Sequence, residues 1–192
     1  MERRQTTVRT QDELKRAVRS IARHFATDTV YLIGSQAILA SWPDAPLAAR
    51  LSQEIDAYPG NADEWRRRNN EMEASEEINA LFGFGSSFHV AFGFYIDGVD
   101  ERTAALPAGW KARAVRMAIE DGDRTIAAVA PALGDLIAAK LIRLDGKDKD
   151  FVRACHEARP LDIAAIQRLI DSVPVDKATR TAATRFLNTP QA

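Results

Sequence analysis

Thr29-Val30-Tyr31-Leu32-Ile33-Gly34-Ser35, followed further on by Glu54-Ile55-Asp56-Ala57-Tyr58-Pro59, is the stretch whose reading decides the fold. Its first part is β-branched, aromatic and apolar, so it reads as a short buried strand that Gly34-Ser35 ends. Its second part alternates polar and apolar residues, as a half-buried strand does. Between them, Gln36 to Ser41 reads as the start of a short helix and Trp42-Pro43-Asp44-Ala45-Pro46 as a loop. A strand ending in Gly-Ser and opening a helix offers backbone N–H groups and a hydroxyl to a phosphate. Gly-Ser is also a common turn. Glu54 and Asp56 lie two apart on a strand, so period-two geometry points both to one face. Adjacent carboxylates repel unless something positive lies between them. Mg²⁺ or Mn²⁺ takes such hard oxygen ligands and leaves room for substrate phosphates. The alternative reading of the pair is the solvated face of an edge strand.

Working outward, Thr10 and Glu13 have the spacing of a capping box, and Leu14, Val18, Ile21, Ala22 and Phe25 follow at helical spacing. Residues 62 to 82 are helical in propensity and very polar, and end at Gly83. Phe84 to Ser87 reads as a loop. Phe88-His89-Val90 and Phe92 to Ile96 read as strands on either side of Gly93, and Asp97-Gly98 as a turn. Arg113 to Ile119, Asp121-Gly122 and Arg124 to Val129 form a hairpin pattern. After Pro131 the texture changes to helix: Pro131 to Leu144, Lys147 to Glu157, Asp162 to Ile170 and Asp176 to Leu187. With strands in the middle and helices in the last third, we expect an α+β (mixed α/β) fold. Its parts are a core over residues 1–130 and a helical segment over 131–192 packed on that core.

Composition narrows the classes. Lys plus Arg number 26 and Asp plus Glu 27, a net charge of −1, which argues against coating nucleic acid by bulk positive charge. A local basic cleft stays open. The lone Cys155 excludes an intrachain disulfide and a cysteine-rich zinc site, and reads as a small buried hydrophobe. No apolar run approaches the ~18 residues of a membrane span. Met1 to Thr7 carries arginines without the apolar run of a signal peptide, so a cytoplasmic location is expected.

Two further places can carry chemistry. In the helix after Pro131, Leu133, Leu136, Ile137, Leu141 and Leu144 make an apolar stripe with Lys140 inside it. A lysine there snorkels to water, the commoner case, or points at something negative. Next come the alternating charges Gly146-Lys147-Asp148-Lys149-Asp150. Asp148 and Asp150 suit a helix N-terminus, and Lys147 and Lys149 suit phosphate. A third carboxylate, Asp97, completes a three-acid cluster if its strand lies beside that of Glu54 and Asp56. Histidines 24, 89 and 156 lack metal-ligand spacing, and His89, near Asp97, is the one to watch. Neither a P-loop, nor a nucleophile elbow, nor a dinucleotide fingerprint is present.

Together these pieces resemble the nucleotidyltransferase superfamily, the fold shared by DNA polymerase beta and aminoglycoside nucleotidyltransferases. The residues that carry this are Leu32-Ile33-Gly34-Ser35, then Glu54-Ile55-Asp56, then Asp97. A closer resemblance is to a small bacterial branch related to toxin–antitoxin and abortive-infection proteins. It rests on Ile33 to Leu39, Ser52 to Pro59, Ser87-Phe88-His89, Gly93 to Val99, Leu106 to Trp110 and Asp135 to Phe151. The resemblance implies transfer of a nucleotide from an NTP to an acceptor hydroxyl, that of a tRNA 3′ end, a protein or a small molecule. It implies that Glu54, Asp56 and Asp97 ligate Mg²⁺ or Mn²⁺, with Asp97 as ligand or base. Gly34 and Ser35 would hold phosphates, Lys140 would neutralise phosphate charge, and Lys149 would do so more weakly. An antitoxin-type protein partner is implied too. Three departures stand out. Eighteen residues, positions 36 to 53, separate Ser35 from Glu54, the first acid is Glu where the signature most often has Asp, and Gly134 replaces a histidine. The first two motivate a second reading, a nucleotide- or protein-binding partner without turnover.

Overall fold

The computed structural model describes residues 8–189. Met1 to Thr7, read above as lacking a signal peptide, lies outside them. The chain opens with α1 (Gln11–Phe25), where Thr10 accepts from the Glu13 N–H and the Glu13 side chain caps the Thr10 N–H, the expected capping box. β1 (Thr29–Ile33) follows, then 3-10 helices over Ser35–Ala40 and Leu47–Arg50, and β2 (Glu54–Pro59). The polar stretch after β2 breaks into α2 (Ala62–Arg68) and α3 (Ala74–Phe82). The break falls where Asn70 and Glu71 adopt left-handed backbone (φ 54° and 62°), which no continuous right-handed helix accommodates.

Four expectations fail next. Phe88-His89-Val90 is not a strand but part of α4 (Ser87–Phe92). Ser86 accepts from the His89 N–H at one end, and Gly93, at φ 72°, closes the other. Local capping thus decides between helix and strand for a short apolar run that periodicity leaves open. Asp97-Gly98 is not a turn; both residues belong to β3 (Tyr95–Gly98). A Cβ on Gly98 would stand 2.2 Å from the Ser75 carbonyl oxygen, so this glycine answers the close approach of α3. Arg113 ends a short α5 (Trp110–Arg113) rather than starting a strand. The hairpin β4 (Val115–Asp121) and β5 (Arg124–Ala130) turns at Gly122-Asp123, one residue later than Asp121-Gly122. Four helices close the described chain: α6 (Leu133–Arg143), α7 (Gly146–Ala158), α8 (Ile163–Asp171) and α9 (Lys177–Asn188). The fold is therefore mixed α and β.

Among the described residues one five-stranded sheet runs in the order β3-β2-β1-β5-β4. β1 is antiparallel to β2 and parallel to β5, β2 is parallel to β3, and β4 is antiparallel to β5. Alternation divides its faces. Val30, Leu32, Ile55, Ala57 and Ile96 join Leu14, Val18 and Ile21 of α1 in the main core, together with Leu136, Ile137, Phe151, Ile166 and Leu187 of the last helices. The other face carries Tyr31, Ile33, Glu54, Asp56, Tyr58, Tyr95 and Asp97. There Ile33, Tyr58 and Val99 make a small second cluster, with Ala104 and Leu106 laid over it. Cys155 is buried and free, as expected of a small hydrophobe. Among the described residues, no helix is long and apolar enough to cross a membrane.

Candidate active site

Gly34 sits at the end of β1 with φ +68°, a conformation L side chains rarely adopt. A Cβ at Gly34 would fall 1.9 Å from Asp56 Oδ2. The turn after β1 is thus pressed against the second acid of β2, so the phosphate-binding candidates and the carboxylates form one place. Register explains the contact, because Ile33 pairs with Asp56 across the antiparallel ladder. On the other side of β2, Glu54 pairs with Tyr95 and Asp56 with Asp97 in parallel register. Glu54, Asp56 and Asp97 therefore share one face.

The three carboxylates feel one another. Burial, then the negative charges of Glu54 and Asp97, push the Asp56 carboxyl up to about 7, against the opposing pull of Lys140 and Arg143. Burial, then Glu54, raises Asp97 as well. The Tyr95 hydroxyl donates to Glu54 Oε2 at 2.8 Å and so orients the first acid. Among the described residues, however, no group of three or more His, Cys, Asp or Glu side chains is arranged to hold a metal ion. The acids share a face without closing on one point. Mg²⁺ needs no such cage, since it keeps several waters and takes one or two protein carboxylates beside substrate phosphates. Asp56, held toward its neutral form by burial and by two like charges, is a donor that a divalent cation would relieve. Glu54 and Asp56 thus fit the cation.

Lys140 does not snorkel. It is 6% exposed, and its Nζ donates to Ser35 Oγ at 2.8 Å and lies 2.9 Å from Asp148 Oδ1. Phe151 packs against it, with its ring centroid 5.5 Å from Nζ. Asp148 is not a solvated helix-end acid. It is 1% exposed and also receives Arg143 through Nε at 2.6 Å and Nη2 at 2.9 Å. Burial alone would raise the Asp148 carboxyl, but the hydrogen bonds from Arg143 and Lys140 outweigh it and hold the group below its usual range. The α7 N-terminus is capped instead by Asp145. Asp135 turns away from the acids and pairs with Arg113 at 2.6 Å.

A cavity of about 300 Å³ opens between these groups. Gly34, Ser35, Glu54 and Asp56 line it from the sheet, Lys140 and Arg143 from α6, and Thr103 to Leu106 from the segment crossing above. Asp97 and Lys149 are not among its lining residues. Sequence reasoning missed Arg143 and Asp148 as members of this place. The available signals were the three-residue spacing of Lys140 and Arg143 on one helix face, and an acid next to two lysines.

A strand ended by Gly-Ser, a short 3-10 helix, an antiparallel strand bearing two acids and a third acid on its parallel neighbour make the arrangement that the resemblance led us to expect. The chain matches, over residues 12–187, the family described as "Nucleotidyltransferase of unknown function (DUF6036)", and it belongs to that family. This places it in the nucleotidyltransferase superfamily. No curated protein and no solved structure matches it.

Proposed function

We propose that the chain moves a nucleotidyl group from a nucleoside triphosphate to an acceptor hydroxyl, with Mg²⁺ or Mn²⁺ on the β2 carboxylates. The observation that carries this reading is Asp56, beside Glu54 and Asp97 and pressed against the Gly34-Ser35 turn, in a cavity whose far wall bears Lys140 and Arg143. Glu54 and Asp56 would hold a divalent ion on the acidic floor, and Lys140 and Arg143 on the cationic wall suit phosphate oxygens. In the reaction, the acceptor oxygen forms a bond to the α-phosphorus while the bond to the pyrophosphate oxygen breaks. The acceptor proton passes to a carboxylate, and Asp97, across from Asp56 on β3, is assigned as that base or as a further ligand. Ser35 and the Gly34 backbone orient phosphate oxygens. Lys140, held by Ser35 and Asp148, meets charge developing on the departing pyrophosphate, as preorganised electrostatics require. The cation supplies Lewis-acid polarisation of the phosphoryl oxygens.

The test is transfer of label from each NTP onto total RNA and protein, with Asp56→Ala as control. A tRNA 3′ end, the acceptor the resemblance to toxin-type relatives implies, comes first. Label on one acceptor class that vanishes in the control supports the reading. Absence of transfer with every NTP, combined with divalent binding unchanged in the control, overturns it. The two departures at Glu54 and at positions 36 to 53 favour a second reading, nucleotide binding without turnover. Calorimetry separates the two, because that reading requires tight NTP binding by a protein inactive on every acceptor.

A further inference from the structure

Phe84 is 68% exposed, in the turn between α3 and α4. A phenyl ring left largely in water forgoes most of the free energy its burial would yield. Yet the ring is not adrift. Its centroid lies 5.0 Å from that of His89 and 5.6 Å from that of Tyr95, and the last two rings are 5.3 Å apart. The turn itself is pinned, since the Gly85 N–H donates to His89 Nδ1 at 3.0 Å and Ser86 caps α4. That bond makes Nδ1 an acceptor, so the neutral ring carries its proton on Nε2, a donor left for another partner. Tyr95 joins this group to the acids, because its hydroxyl is bonded to Glu54.

We propose that the exposed Phe84 ring, propped by a tilted His89 and an edge-on Tyr95, is a platform on which a nucleobase stacks, beside the carboxylates of β2. This rests on the reading of that face as a site handling nucleotides. Stacking on exposed aromatic rings is how proteins hold bases whose edges they do not read. The position suits a nucleotide in particular. A base on Phe84 stands one ring, that of Tyr95, away from Glu54. The base belongs either to the donor triphosphate or to an RNA acceptor.

Full-length wild type, Phe84→Ala, Phe84→Leu and Phe84→Trp are compared by equilibrium binding in two arms. One arm titrates each NTP with Mg²⁺, and the other a short single-stranded RNA without a triphosphate. Because the ring is exposed, all variants should keep the wild-type Tm, which is checked first. Phe84→Ala should weaken one arm by about 5- to 100-fold, Leu should fail to restore it, and Trp should restore it. The affected arm names the source of the base. Unchanged affinities in both arms overturn the platform, and so does full restoration by Leu. A changed oligomeric state with both affinities intact would make the ring a protein contact and overturn it as well. In those cases transfer abolished by Asp56→Ala still leaves the nucleotidyl-transfer reading standing. If the wild type binds neither NTP nor RNA, both proposals fall.

Discussion

At Asp56 burial and two neighbouring carboxylates push the carboxyl up to about 7, while the cations Lys140 and Arg143 are engaged by Asp148. The folded state therefore binds this proton more tightly than the unfolded chain, where the group titrates near 4. Its contribution to stability is complete below about pH 4 and is lost as pH rises to about 7, roughly 4 kcal/mol in all. Without divalent ions, Asp56→Asn should flatten the Tm–pH profile across that window and raise Tm at pH 7.5 by about 5 °C or more. An unchanged slope would place the proton elsewhere. The same competition predicts that Mg²⁺ binding, followed by calorimetry, tightens as pH climbs from 5.5 to 7.5. Gly34 is the other decisive residue. Gly34→Ala joins a left-handed backbone to a clash with Asp56 Oδ2. It should cost about 2 kcal/mol or more in urea unfolding and weaken NTP binding, and a variant as stable as the wild type would refute the close approach.

The meeting of α6 and α7 is an element-scale question of charge. Asp148 is the single buried acid between Lys140 and Arg143, so Asp148→Ala leaves both cations without it, whereas Lys140→Ala leaves Asp148 paired with Arg143. Breaking a buried pair at its hub costs about 3 to 5 kcal/mol. Asp148→Ala should thus lower the urea midpoint more than Lys140→Ala, and the reverse order would show that Asp148 is not the hub. β3 and α3 give a second test. Gly98→Ala drives a methyl into the Ser75 carbonyl and the Ile78 side chain, so it should separate this edge strand from its helix and lower Tm by several degrees. The elements legible in the sequence were those with local signatures, such as α1 with its capping box and β2 with its alternation. α4 was not, because Phe88-His89-Val90 is too short and apolar for period to discriminate, and its caps at Ser86 and Gly93 did the deciding. Gly98 was misread because a glycine required by a neighbouring helix looks, in sequence, like one required by a turn.

Across the whole molecule, the division near residue 130 marks a change of texture, but the hydrophobic core is continuous through it. Leu14, Leu32 and Ile55 belong to the same cluster as Leu136, Leu141, Phe151, Ile170 and Leu187. The Ser35–Lys140 and Arg113–Asp135 contacts cross the same point. A fragment of residues 1–130 should therefore show no cooperative thermal transition by circular dichroism, while the full chain shows one; a sharply melting fragment would overturn this. The near-neutral charge also takes on meaning at this scale. The acids of β2 and the bases of α6 face one cavity, so opposite charges are concentrated in one place although their sum is small.

The sequence by itself determined the Gly34-Ser35 turn, the strands on either side of it and the common face of Glu54 and Asp56. Each of these follows from neighbours a few positions apart, through strand period and local conformation. Only the tertiary structure decided that Asp97 stands across from Asp56, that Lys140 reaches Ser35, and that Asp148 binds two cations in the interior. Those contacts depend on strand register and on helices docked over the sheet. Partners such as Ser35 and Lys140, 105 positions apart, leave no trace in local spacing.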